Sequence, residues 1–294
     1  MNGASPFMKA HPDRDIDSTP PARPTDSSSL RIAWASSAWA WRPAPAHIEM
    51  MQTAQNVADK YGLSREEIDA FALRSHTKAA AARDSGRLAK EIHPVEIPAT
   101  RRQPARVFEH DESIRDDTTA EKLAALPAQP NTTQMTAGNS SPLNDGASGV
   151  VLAGGEAAAE LGVEPLARVV ASATHALDPQ IMGIAPAFAI PKALQRAGLR
   201  PEDVDVWEVH EAYASVAVAI LRELPRQLGG FEVPDEKLNP NGGAVAIGHP
   251  FGSSGTRYVL TLATELRERG ARYGVLGVCV GSGQGVALVL ENVA

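Results

Sequence analysis

Cysteine is almost missing from this chain: its 294 residues include one, Cys279. A lone thiol excludes an internal disulfide framework and fits a reducing compartment. Clusters of Lys and Arg are absent as well, and the net charge is -7. Nucleic-acid binding draws its affinity from a basic surface, so no nucleic-acid partner is expected. No apolar run is long enough to cross a bilayer, which argues against a membrane partner. The N-terminus lacks the charged-then-apolar order of a secretory signal, and a cytoplasmic location is the expectation. No zinc, iron–sulfur or phosphate-loop spacing occurs, so no metal is implied. What is present is ordinary for a folded protein, 43% hydrophobic and 21% charged residues, in a length that allows two domains and a buried core.

Composition is uneven along the chain. Residues 1–46 carry Pro6, Pro12, Pro20, Pro21, Pro24, Pro43 and Pro45, a serine run at 27–29, and Trp34, Trp39 and Trp41. No helical or strand period runs through them, so residues 1–49 read as a disordered leader, although tryptophan is unusual in such segments. Order is expected from Met50. Ser64-Arg-Glu-Glu67 has the form of a capping box. It opens a helix with Ile68, Phe71, Ala72 and Ser75 on one stripe, ending near Gly86. Residues 92–97 suggest an edge strand beside Pro94, 109–121 an acidic loop, and 121–126 a helical turn or two. A dense turn cluster occupies 139–146. Strands are then expected at 149–152 (buried), 166–173, 204–209, 273–279 and 286–290. Helices are expected at 155–161, 187–197, 211–224 and 253–269, with Gly198 and Gly270 as stops. Strands alternating with helices predict an α/β layered domain.

Two glycine-rich loops near the C-terminus carry the chemistry. One reads Asn239-Pro-Asn-Gly-Gly-Ala-Val-Ala-Ile-Gly-His249-Pro-Phe-Gly-Ser-Ser-Gly255, the other Gly277-Val-Cys279-Val-Gly-Ser-Gly-Gln-Gly285. Imidazole and thiol exchange protons near neutral pH when they meet. Flanking glycines permit tight turns that bring backbone N–H groups close to a ligand. His249 and Cys279 are therefore expected face to face, working on a small polar substrate. Each also has a plainer reading. Cys279 is a small residue at the end of an apolar strand, His249 a loop histidine, and His210 a strand-end residue bonded to backbone. His47, His76, His93 and His110 are expected to face solvent, and Met8, Met50, Met51 and Met135 to have no special role. Glu211, read as opening a helix, is expected to orient neighbours, favoured there by the helix dipole.

Together with His210-Glu-Ala-Tyr-Ala214, these loops stand in the order and at the spacing of the thiolases, acyl-CoA C-acyltransferases. The chain resembles that family from about Met50 to Ala294. The stretches Glu49-Met-Met-Gln-Thr-Ala-Gln-Asn-Val-Ala, Phe71-Ala-Leu-Arg-Ser-His76 and Thr136-Ala-Gly-Asn-Ser-Ser-Pro-Leu-Asn-Asp-Gly extend the likeness. The resemblance implies an α/β, thiolase-like layered fold. Residues 50–135 would be a remnant of the helical loop domain, 136–165 a remnant of the N-terminal domain, and 166–294 the complete C-terminal domain. It implies acyl transfer between CoA thioesters in fatty-acid or ketoacyl-CoA metabolism, with CoA and acyl-CoA as substrates and no cofactor.

In the family, one cysteine takes up the acyl group as a thioester and a second moves the α-proton of the nucleophile. A histidine activates the first cysteine and helps bind the thioester oxygen. An asparagine or histidine orients a water that completes the oxyanion site. Such chemistry needs a thiolate, preorganised donors for the enolate oxygen, and two covalent steps in place of one. Carried over by resemblance, His249 matches the activating histidine and Cys279 the α-proton acid/base. His210 stands where most members have asparagine, in the manner of the fatty-acid-degrading branch. The Gly281 N–H would serve a second oxyanion site, Ser141 would contact the pantetheine region, and Met182 and Tyr213 would line the acyl pocket.

The departure is the nucleophile. With no second cysteine, the thioester step has no acceptor, and the chain alone is expected to be inactive as a thiolase. The expectation is a truncated thiolase whose residues 1–49 are native sequence or a product of a shifted frame or misplaced start. A non-catalytic acyl-CoA-binding or partner subunit is the alternative, and a separate chain supplying the missing half a third possibility. Thiolases are homo-oligomers, but this chain is not expected to keep that assembly, and an exposed apolar face is anticipated. Proton exchange at the α-carbon of a bound acyl-CoA remains open, because it needs no covalent step.

Overall fold

The computed structural model describes residues 48–293. The expected leader, with its tryptophans, Met8 and His47, lies outside the described residues. Helix α1 (Met50–Tyr61) comes first and was not anticipated. Its buried residues are Thr53, Ala54, Gln55, Val57 and Ala58, small or polar for the most part and too weakly apolar to stand out as a helical period. Gly62 closes it in the left-handed conformation at φ 57°. Helix α2 (Arg65–Asp84) follows with its capping box formed. Ser64 Oγ accepts from the Glu67 N–H, and the Glu67 carboxylate accepts from the Ser64 N–H. Next come an antiparallel ribbon of β1 (Val95–Ile97) and β2 (Arg106–Phe108) and the short helices α3 (Ala120–Ala124) and α4 (Gly155–Glu160).

The remaining strands form one mixed sheet. Strands β3 (Arg168–Ala176), β4 (Val206–Val209), β5 (Tyr273–Val280) and β6 (Gln284–Glu291) lie in the order β3-β6-β5-β4. The β3–β6 and β6–β5 pairs are antiparallel, and β5–β4 is parallel. Parallel neighbours need a crossover. Helices α6 (Ala214–Gln227), α7 (Ala244–Ile247) and α8 (Ser254–Arg269) supply it. Helix α5 (Pro186–Ala197) packs on one face of the sheet, with α6 and then α1 and α2 beyond it, and α8 covers the other face. Alternation along β4 divides its side chains between the two cores. Trp207 and Val209 join α5 and α6, while Val206 packs with Leu262 and Leu266 of α8. The layered α/β expectation holds.

Three local expectations need correction. Residues 149–152 are not a buried strand. They have no strand pairing, and Val151 is 93% and Leu152 79% exposed; this apolar run finds no neighbouring strand among the described residues. The helix read from Glu211 starts at Ala214. Tyr213 is held extended by a bridge to Ser140, and the Ala214 N–H donates to the Asn139 carbonyl. Glu211 therefore precedes the helix and owes nothing to its dipole. His76 does not face solvent: it is 5% exposed, and its Nδ1 accepts from the Arg115 N–H at 3.2 Å. His93 and His110 are exposed, as expected.

Candidate active site

Strand β4 ends beside the middle of β5, which runs three residues further to Val280. Val209 pairs with Gly277, and the His210 N–H donates to the Gly277 carbonyl at 2.9 Å. His210 thus stands one residue beyond β4, and Cys279 lies near the end of β5. The carboxyl ends of parallel strands are where α/β sheets place their ligand sites.

The turn cluster at 139–142 stitches the neighbouring loops together. Ser141 gives both its N–H (3.1 Å) and its hydroxyl (2.8 Å) to the Ala212 carbonyl. The Pro142 carbonyl accepts from the His249 N–H at 3.1 Å. Ser141, Tyr213 and His249 are thereby held by one short segment.

Beneath them lies a fully buried carboxylate. Glu211 accepts from the Ser75 hydroxyl at 2.6 Å, the Asn239 amide at 2.7 Å and the Val245 N–H at 3.3 Å. Asn239 in turn donates to the Val209 carbonyl at 2.9 Å and accepts from the Val209 N–H at 2.7 Å. The Ser75 oxygen also accepts from the Gly243 N–H at 3.1 Å. Gly243 is required here, because a Cβ would stand 2.2 Å from the Glu211 Cδ. The network anchors the glycine-rich loop to α2 and to the end of β4. Glu211 does orient its neighbours.

The two histidines meet. Their ring centroids are 4.4 Å apart with planes inclined at 59°. His249 Nδ1 is 2.7 Å from the Ser254 hydroxyl, and His210 Nδ1 is 3.1 Å from the Tyr258 hydroxyl. Burial, then the His249 charge and the Arg257 guanidinium, hold His210 well below the ordinary imidazole range. Burial and Arg257 lower His249 as well. Burial thus favours the neutral form of both rings. Arg257 is half-buried with its Nε and Nη2 out of solvent, and its guanidinium lies 4.0 Å from the Tyr258 ring centroid. Close to its charge, burial pushes the Glu208 carboxyl up to about 8.

Cys279 belongs to a second group, packed with Met182, Ala212 and Tyr213. Burial pushes its thiol up to about 12. Tyr213 is also raised to about 12, first by burial and then by the charge a Cys279 thiolate would carry. Beyond Cys279 the chain turns through Gly281, Ser282 at φ 67° and Gly283 at φ 92°. A Cβ on Gly283 would stand 2.2 Å from the Leu177 carbonyl oxygen. The Leu177 N–H in turn donates to the Gly283 carbonyl at 2.8 Å, pinning the turn. Gly281 is exposed at its tip.

The structure thus gathers His210, His249, Ser141 and Tyr213 through shared contacts, and Cys279 with Met182 and Tyr213. Tyr213 belongs to both groups. No hydrogen bond joins His249 to Cys279 among the described residues. The sequence reading passed over Ser254, Arg257 and Tyr258. They lie five to nine residues past His249, within the first five residues of the helix that its loop opens. That proximity was the available signal.

Comparison with known proteins follows the same lines. The family model described as "Thiolase, N-terminal domain" matches residues 40–156, and "Thiolase, C-terminal domain" matches residues 163–292. An acetyl-CoA acetyltransferase of Allochromatium vinosum is 46% identical over 244 residues, covering 83% of this chain and 60% of that protein. A beta-ketoadipyl-CoA thiolase of Pseudomonas aeruginosa is 48% identical over 245 residues, covering 83% and 59%. Among solved structures, the Bacillus anthracis acetyl-CoA acetyltransferase superimposes with a TM-score of 0.78 at 43% identity, over 84% of this chain and 61% of that one. The human mitochondrial 3-ketoacyl-CoA thiolase gives 0.75 at 38% identity, over 84% and 60%. The chain spans about three fifths of the length of the curated relatives it matches. With both domain models matched in order and the family's loops assembled at one end of the sheet, the chain belongs to the thiolase family.

Proposed function

We propose that this chain is the acyl-CoA-binding and α-proton-transfer part of a thiolase-type C-acyltransferase, acting on CoA thioesters in cytoplasmic fatty-acid or ketoacyl-CoA metabolism. The observation that supports the reading is the His210–His249 pair just past the end of β4, with Cys279 near the end of the neighbouring β5. Cys279 is the α-proton acid/base. The Gly281 N–H contributes to the oxyanion site on its side. His249 assists the acyl-accepting thiol and, with His210, meets the thioester oxygen. Ser141 touches the pantetheine region, and Met182 and Tyr213 border the acyl group. No second cysteine exists in the 294 residues, so this polypeptide forms no thioester and does not complete acyl transfer by itself. No helix among the described residues is long and apolar enough to cross a membrane.

Proton exchange needs no acyl acceptor. The Cys279 thiolate takes a proton from the methyl carbon of acetyl-CoA, and the electron pair moves onto the thioester oxygen. The thiol so formed exchanges with solvent and returns a deuteron in D2O. Wash-in of deuterium at the acetyl methyl, followed by NMR, is expected above buffer background and lost in Cys279→Ala. Background exchange by the intact chain would overturn the reading. One observation favours a second reading, binding without turnover: the buried thiol sits at about 12, far on its neutral side. Calorimetric titration with acetyl-CoA that shows binding, in a chain without exchange, is the result that reading requires.

A further inference from the structure

Behind the histidine pair stands a side chain with no part in the chemistry above. Tyr258 is fully buried at the fifth residue of α8. Its ring meets His210 edge to face, centroids 5.4 Å apart at 82°, with the hydroxyl 3.1 Å from Nδ1. Either group can donate in such a pair, so the surroundings decide. The phenol oxygen has His210 Nδ1 as its one hydrogen-bond partner among the described residues, and a donating Nδ1–H would leave the buried phenol hydrogen unpaired. The phenol therefore donates and His210 Nδ1 accepts.

With Nδ1 accepting, a neutral imidazole carries its proton on Nε2. The ring is kept neutral by burial, by its neighbour His249 and by the Arg257 charge. His210 Nε2 is itself buried and has no hydrogen-bond partner among the described residues. Buried donors rarely go unpaired, because desolvation is then uncompensated. The place for an acceptor is beside Nε2. A ring in this state cannot also receive the substrate's proton there.

We propose that Tyr258 is a positioning residue that locks His210 in the Nε2–H tautomer, so that His210 serves as a hydrogen-bond donor to the thioester oxygen of a bound acyl-CoA. The thioester half rests on the acyl-CoA reading given under the proposed function; the lock itself does not.

The test is 15N NMR of histidine-labelled full-length chain at neutral pH, with His210 identified by difference against His210→Gln. The expected spectrum shows His210 protonated at Nε2 and bare at Nδ1. In Tyr258→Phe the Nδ1 resonance should move and both tautomers become populated. His249, tied through its own Nδ1 to Ser254 at 2.7 Å, should keep its signals and report that the variant is folded. Adding acetyl-CoA to the unaltered chain should move the His210 Nε2–H proton downfield. His210 protonated at Nδ1 in the unaltered chain overturns the lock, and this result does not depend on the Tyr258→Phe variant folding. A Tyr258→Phe spectrum identical to the parent's overturns it too. The expected tautomer with an Nε2–H unmoved by saturating acetyl-CoA overturns the thioester half and counts against the acyl-CoA reading, leaving the lock in place.

Discussion

Cys279 shows how much a single side chain's surroundings decide. A free thiol is partly ionised a little above neutrality, but burial against Met182, Ala212 and Tyr213 raises this one to about 12. The sign follows directly. A thiol with a raised pKa is an acid at rest, ready to give a proton to a carbanion, and a base only through its minor thiolate. Below about 12 the thiolate fraction grows about tenfold per pH unit. Deuterium wash-in into acetyl-CoA is therefore expected to climb about tenfold per unit above neutral pH when followed by NMR. A plateau near neutrality would assign the exchange to another group. Such an environment is not readable from sequence. The glycines around Cys279 signal a turn, but the residues that bury it come from 182 and 212–213, joined only by the fold.

Elements succeed or fail in sequence reading according to where their information lies. Helix α2 was readable because its capping box and its stripe are local, and α5 and α8 because Gly198 and Gly270 stop them in the left-handed conformation. The start of α6 was misread because a long-range bridge from Ser140 to Tyr213 sets it. Strand β2 was missed since it is exposed along its whole length and carries no alternation to detect. The Glu211 network likewise joins elements distant in sequence: α2 through Ser75, the glycine-rich loop through Asn239 and Val245, and the end of β4 through Asn239. Glu211→Ala would strand the buried Asn239 amide and Ser75 hydroxyl. Urea unfolding should record a loss of about 3 kcal/mol or more. A loss below about 1 kcal/mol would mean that the loop is anchored by other contacts.

At the scale of the whole molecule, the described residues belong to one compact unit, yet some apolar surface is left uncovered. Val151 and Leu152 project into solvent, and Leu143, Leu161 and Val163 are also largely exposed. Strand β3 lies at the open edge of the sheet, with Val169 half exposed. Exposed apolar patches and bare strand edges promote association. The double variant Val151→Lys, Leu152→Lys should reduce light scattering at a given concentration without lowering the unfolding midpoint, since neither side chain contributes to the core. Unchanged scattering would direct attention to the β3 edge.

The central proposal is that this polypeptide holds proton-transfer groups of a thiolase site without a second thiol to receive the acyl group. Intact-mass spectrometry after incubation with excess acetyl-CoA at neutral pH addresses it most directly. The account predicts that the full-length chain keeps its unmodified mass, apart from the slow background seen with denatured protein. A stoichiometric gain of one acetyl group, mapped by peptide digestion to a single side chain at the ends of β4 and β5, would contradict it.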